Sequence, residues 1–275
     1  MFLGIIDKAY TEKYGYSQGI LRLKAQGYDA IDFQGFVDTS TALWKLPEDR
    51  FLGMVKETGD FLKEQGITVY QSHAPWEWPP RHVTADDRKD LFERTHRALK
   101  GCQALGCKNL VIHPLMPFLN EEGQNTETVL GMNLGFLGAV TDYARYYGVT
   151  VCLENLPFQN PPLATPEEIR NFVEDMNLDN LRVCLDTGHC NVRGFSAGDA
   201  VRLIGPELLK CLHVHDNDGK DDQHRMPGEG TIDWEDFRQS LRDINFQGSL
   251  SLEWTPRDET DELLGLQKAR ILANP

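Results

Sequence analysis

Short runs of β-branched and other apolar residues alternate along this chain with longer stretches in which apolar positions recur every three or four residues, and the alternation is completed eight times. The short runs predict strands at residues 3–6, 28–33, 67–72, 109–113, 149–154, 181–186, 209–215 and 248–253. The longer stretches predict helices near 17–26, 48–65, 87–106, 126–147, 166–176, 197–204, 233–244 and 260–272. Thr165 before Pro166, Asp233 with Asp236 three residues on, and Thr260 stand where a side-chain oxygen would cap a helix start. Gly27, Gly66, Gly106, Gly148 and Gly248 occupy the short links from helix to strand, where a left-handed residue stops a helix. Eight strand–helix units in 275 residues predict an α/β protein, a single (β/α)8 TIM barrel forming one domain over residues 1–275. An open doubly wound sheet alternates in the same way, but no G-x-G-x-x-G or G-x-x-x-x-G-K-[ST] follows the first strand, so its nucleotide-binding form has no support.

Composition narrows the partners. Lys plus Arg number 28 against 42 for Asp plus Glu, a formal net charge of −14, and this field repels polyanions, so nucleic acid is a disfavoured partner. The six cysteines form no CxxC pair, and Cys152, Cys184 and Cys211 lie inside predicted strands, as small reduced core residues do. Apolar runs fall far short of the ~20 residues that cross a bilayer, so no membrane span is expected. The opening MFLGIIDKAY lacks a basic segment followed by an apolar stretch and a cleavage site, which makes the cytoplasm the expected compartment.

Candidate chemistry gathers at the ends of the predicted strands. His73 follows the third, His113 ends the fourth, Glu154 the fifth and Asp186 the sixth; His213 and His215 lie in the seventh, and Glu253 ends the eighth. A barrel carries these ends to one mouth, together with the irregular segments 74–86, 155–165 and 216–232. His189 and the loop pair Asp222 and His224 add to the set, whereas His96 reads as an exposed helix residue and His82 as a loop residue. One such side chain alone is most simply a satisfied polar group or a helix cap. Six strand ends together would set carboxylates against one another unless a cation neutralised them. Carboxylates with imidazoles suit a transition-metal dication better than Ca²⁺; Mn²⁺ is the expected ion, with Zn²⁺, Co²⁺ or Mg²⁺ as alternatives. His213 and His215 share one face of their strand, so either could be the ligand. Trp76 and Trp78 could border a sugar or an apolar aglycone, or simply pack a loop, and Arg193 and Arg225 are candidate anion or hydroxyl anchors. Aromatic residues exposed on loops would also suit a homodimer.

The segments SHAPW, VIHP, CLENLP, CLDTGH, CLHVHDN, DDQHRMPGEGTIDW and SLEW, in this order, resemble those of the xylose isomerase-like TIM-barrel superfamily, from about His73 to Glu253. That grouping includes sugar phosphate isomerase/epimerase-like proteins, tagatose and psicose epimerases, hydroxypyruvate isomerase and endonuclease IV. The resemblance to the ketose epimerases implies one metal held by Glu154, Asp186, His213 and Glu253, with the two glutamates as acid and base. The endonuclease IV pattern implies a three-metal cluster on His73, His113, Glu154, Asp186, His189, His213, Asp222, His224 and Glu253. Net charge and the absence of an Arg/Lys-rich loop, with the resemblance of the WEWPP segment to sugar-binding relatives, favour a carbohydrate. The expected function is a metal-dependent sugar or keto-sugar isomerase or epimerase, working by proton abstraction and a metal-stabilised enediolate, with His189 holding a substrate hydroxyl. The alternatives are a lyase or hydratase acting on keto-glycosides by the same enolate chemistry, and an endonuclease IV-like metal phosphodiesterase.

Overall fold

The structure, a computed structural model, describes residues 1–80, 82–117 and 125–273. β1 (Phe2–Ile6) is followed by α1 (Lys8–Tyr14) and α2 (Tyr16–Gln26), β2 (Ala30–Phe33) by α3 (Glu48–Glu64), β3 (Thr68–His73) by α4 (Ala85–Leu105) and β4 (Asn109–Ile112) by α5 (Thr126–Tyr147). β5 (Thr150–Glu154) leads to α6 (Pro166–Met176), β6 (Leu181–Asp186) to α7 (Thr187–Val192) and α8 (Ala197–Leu208), β7 (Leu209–His213) to α9 (Trp234–Asp243) and β8 (Ser249–Leu252) to α10 (Glu259–Ala273). The strands are parallel and lie in the order β7-β6-β5-β4-β3-β2-β1-β8. The ring closes just beyond β7, where the Val214 N–H donates to the Ser251 carbonyl (2.9 Å) and the Glu253 N–H to the Val214 carbonyl (3.0 Å). This is the (β/α)8 barrel that the alternation predicts.

Two apolar layers hold it. The larger lies between strands and helices and includes Ile5, Ile31, Phe36, Phe51, Leu99, Leu153 and Phe237; each such side chain contributes roughly 1.5–3 kcal/mol relative to exposure. Inside the barrel, Val111, Cys152, Cys184 and Cys211 pack against Tyr70. Small side chains fill that narrow interior and leave the upper rim to polar groups. Among the described residues no helix is long and apolar enough to cross a membrane.

Several local expectations are corrected. Lys8–Tyr14 buries only Tyr10, too little to show as a periodic pattern, and the short α7 is nucleated by the Asp186 carboxylate accepting the His189 N–H. Gly27, Gly66, Gly106 and Gly148 do take positive φ, but before β8 the left-handed residue is Asn245 (φ 52°). Gly248 is required for space instead, since a Cβ there would meet the Phe246 ring at 2.3 Å. Thr165 and Asp233 cap as expected, whereas α10 begins at Glu259 and Asp258, not Thr260, accepts the Asp261 N–H (2.9 Å). β4, β7 and β8 stop earlier than predicted, so His113, His215 and Glu253 stand just past their strands.

Candidate metal centre

Glu154 ends β5 fully buried, with Oε1 2.8 Å from His213 Nδ1 and Oε2 3.3 Å from His73 Nε2 and 3.1 Å from His113 Nε2. β6 pairs with β7 so that Asp186 lies opposite His213. Across the seam, Glu253 Oε2 reaches to 3.2 Å from the same His213 Nδ1. Glu154, Asp186, His213 and Glu253 each present a ligand atom within 4.8 Å of the other three, and His73, His113 and Glu154 form a second group of the same kind. Asp186 Oδ2 also meets His215 Nε2 at 3.1 Å, and His215 stacks on His224 with ring centroids 4.0 Å apart. Asp222 Oδ2 lies 3.3 Å from His189 Nε2 and 3.2 Å from His224 Nε2. The fold therefore gathers the metal-capable strand ends, with His189, Asp222 and His224, on one spot, and His213 and His215 both belong to the gathering.

The ring orientations suit metal ligation. His73, His189 and His224 each place Nδ1 on a backbone oxygen, of Ala74 (2.7 Å), Asn155 (2.7 Å) and Glu253 (2.9 Å) respectively. A carbonyl can only accept, so Nδ1 carries the proton and a neutral ring turns an Nε2 lone pair inward. His224 adopts φ 46°, a strained conformation for a residue with a side chain, and so brings its ring over the centre.

Electrostatics point the same way. Burial works against ionising Glu154, but His213 and His113 outweigh it and hold the carboxyl well below the usual range. Burial works against charging His189 as well, yet Asp186 and Asp222 carry it up to about 10. His224 rises to about 9, where its bond to Asp222 and the Glu253 charge outweigh burial. Protons on these rings balance the carboxylates in the ion-free chain, and a dication would displace them.

Above the centre opens a cavity of about 290 Å³, lined by Gln34, His73, His113, Glu154, His189, Asp222, His224 and Glu253 on one side and by Trp76, Trp78 and Phe158 on the other. Trp76 meets His113 edge to face (4.3 Å), and Trp78 stacks on Phe158 (4.9 Å). Arg193 and Arg225 do not line it: Arg193 bonds Gln159, and Arg225 lies 3.6 Å from Asp218.

Residues not singled out from the sequence support this arrangement. Asp216 is fully buried and accepts from the N–H groups of Asn217, Gly228, Gly230 and Ile232 and from Trp234 Nε1, at 2.8–3.3 Å. It gives the loop carrying Asp222 and His224 its shape, and a Cβ on Gly230 would come within 2.2 Å of its carboxylate. Asp32, inside the run YDAIDF, reaches His213 Nε2 at 2.9 Å; the run also holds Asp29, and the one signal for Asp32 is that it falls within the fully buried strand Ala30–Phe33.

His82 lies in a loop, as the sequence reads, but is buried there, and its Nδ1 accepts the Met116 N–H at 2.8 Å, which requires an unprotonated nitrogen. Burial, reinforced by His113, lowers it from 6.5 to about 4. The unfolded chain therefore takes up this proton first. Its contribution is complete above pH 6.5 and is lost as the pH falls towards 4, by about 2–3 kcal/mol. Urea unfolding of wild type and His82→Asn should show a stability gap that narrows from pH 7 to 4.5; a constant gap would refute the assignment.

Comparison with known proteins agrees with the barrel fold. A D-psicose 3-epimerase of Enterocloster bolteae is 36% identical over 269 residues, covering 92% of this chain and 82% of that protein. An uncharacterised protein of Methanocaldococcus jannaschii, MJ1311, is 32% identical over 186 residues, and a D-psicose 3-epimerase of Agrobacterium fabrum 35% over 173. Those two alignments take in 66% and 60% of this chain but span only 62% and 55% of the relatives' lengths. Among solved structures, a D-tagatose 3-epimerase-like protein superposes with a TM-score of 0.81 at 22% identity, covering 99% of this chain and 97% of that one. A 3-keto-D-glucoside 4-epimerase from E. coli superposes at 0.75 with 19% identity and 94% of each chain covered, a likeness of fold. The family model for xylose isomerase-like TIM barrels matches residues 20–270, and the chain belongs to that family.

Proposed function

We propose that this chain is a divalent-metal-dependent isomerase or epimerase of an unphosphorylated sugar or keto-sugar. The observation that carries the reading is the pair Glu154 and Glu253, which lie 2.8 and 3.2 Å from the same His213 nitrogen and both line the cavity. The donor set, three carboxylates and an imidazole held by a carboxylate on its far side, fits a dication bound by Glu154, Asp186, His213 and Glu253. Such an ion supplies positive charge where negative charge develops on a substrate oxygen as a neighbouring carbon loses its proton. Glu154 and Glu253 act as the proton acceptor and donor, one on each side of that carbon. His189 holds a substrate hydroxyl, and Trp76, Trp78 and Phe158 offer an apolar wall to the sugar's C–H face. No lysine or arginine is among the described residues lining the cavity, which suits an uncharged substrate. The ketose 3-epimerases among the relatives support the reaction class.

A second reading rests on the grouping of His189, Asp222 and His224 around one carboxylate oxygen. With His73 and His113 it offers places for further ions, as a phosphodiesterase would need.

Incubation of metal-loaded protein with ketohexoses in D₂O separates these. The expected result is deuterium at the carbon beside the carbonyl, with one or two ions per chain by elemental analysis. Aglycone release from a 3-keto-glycoside would move the reading to a lyase. Cleavage of abasic DNA with about three ions per chain, and no exchange into any sugar, would overturn it.

A further inference from the structure

His213 differs from three other rings of the centre. His73, His189 and His224 anchor Nδ1 on main-chain carbonyls and aim Nε2 inward, whereas His213 aims Nδ1 inward and turns Nε2 to a carboxylate, Asp32 Oδ2, at 2.9 Å. Both ring nitrogens of His213 therefore face carboxylates, since Glu154 Oε1 lies 2.8 Å from Nδ1. Which nitrogen keeps the proton when the other binds an ion depends on what surrounds each.

On the inner side two carboxylates, Glu154 and Glu253, converge on Nδ1, and both border the open cavity. On the outer side Asp32 is fully buried, does not line the cavity, and is held by two further donors, Gln71 Nε2 on Oδ2 (2.9 Å) and Gln34 Nε2 on Oδ1 (3.1 Å). Gln71 Nε2 also reaches the Leu212 carbonyl (3.2 Å), next to His213, which ties Asp32 to the strand whose histidine it faces. A cation can enter on the Nδ1 side; only a proton fits between Nε2 and Asp32.

We propose that Asp32 is the positioning residue for His213: it holds the proton on Nε2, fixes the ring plane, and so commits Nδ1 to the ion. The carboxylate withdraws this proton more strongly than the main-chain carbonyls do for the other three rings, which makes His213 the more basic ligand. The claim rests on the reading of His213 as a metal ligand and deepens it.

Side-chain ¹⁵N NMR of the zinc-loaded chain, with Zn²⁺ competition against a chromogenic chelator, tests it in wild type and in Asp32→Asn, an isosteric change. Wild type should carry the His213 proton on Nε2, with the zinc-dependent shift at Nδ1. Asp32→Asn should weaken zinc binding by about 10–100-fold with its circular dichroism unchanged. Zinc bound through Nε2 in wild type overturns the proposal, as does an Asp32→Asn chain that keeps both its affinity and its Nε2 proton. If wild type takes up no zinc, the metal reading fails separately, and the ion-free chain still decides the positioning claim. There the Nε2 proton should exchange with water more slowly in wild type than in Asp32→Asn; equal exchange rates overturn it.

Discussion

Glu154→Gln and Glu253→Gln should each reduce solvent-deuterium exchange into substrate by about 10²–10⁴-fold, the range that a positioned acid or base contributes. The two variants should then part in their metal content. Glu154 lies at the bottom of the centre within 3.3 Å of three imidazoles, so its amide removes the charge on which those rings converge, and the ion is lost with the activity. Glu253 stands just past β8 with its side chain 21% exposed, and of the rings it meets His213 at 3.2 Å. Its amide should keep most of the ion while stopping the proton transfer. Exchange by mass spectrometry and metal by elemental analysis read the two effects independently. Wild-type exchange rates in both loaded variants would remove the glutamates from the chemistry.

Asp216→Ala should release the loop at 217–232 while leaving the barrel folded. The carboxylate accepts four main-chain N–H groups and an indole N–H, and its loss leaves buried donors unpaired, an expected cost of about 3–5 kcal/mol. The loop can recover part of that by opening to water, so the loss is local. Hydrogen exchange followed by mass spectrometry should show protection disappearing across 217–232 and surviving in β5 and β6. Because Asp222 and His224 ride on this loop, substrate turnover should fall with it. Unchanged protection at Gly228 and Gly230 would show that the carboxylate does not organise the segment.

What could be read from the sequence follows from how local each determinant is. His73, His113, Glu154, Asp186 and Glu253 stood out because polar side chains end runs that are otherwise apolar, and a barrel needs no further information to bring strand ends together. The glycines at 27, 66, 106 and 148 were legible for a similar reason, since positive φ is a demand of one residue on itself. Before β8 two residue types capable of that conformation compete, and Asn245 rather than Gly248 adopts it. Asp32 could not be recognised, because its partner His213 lies 181 positions away and the β2–β3 register shifts beside it. The PGEG segment was visible as a loop, but its organiser, Asp216, precedes it by a dozen residues.

Three imidazoles take their aim from main-chain carbonyls rather than from neighbouring side chains. Such anchoring is indifferent to the chemistry of the rim. Substitutions in the aromatic wall can therefore reshape what the cavity admits while the inward lone pairs stay where they are. A scaffold of this kind can change the molecule it admits without rebuilding the apparatus beneath it.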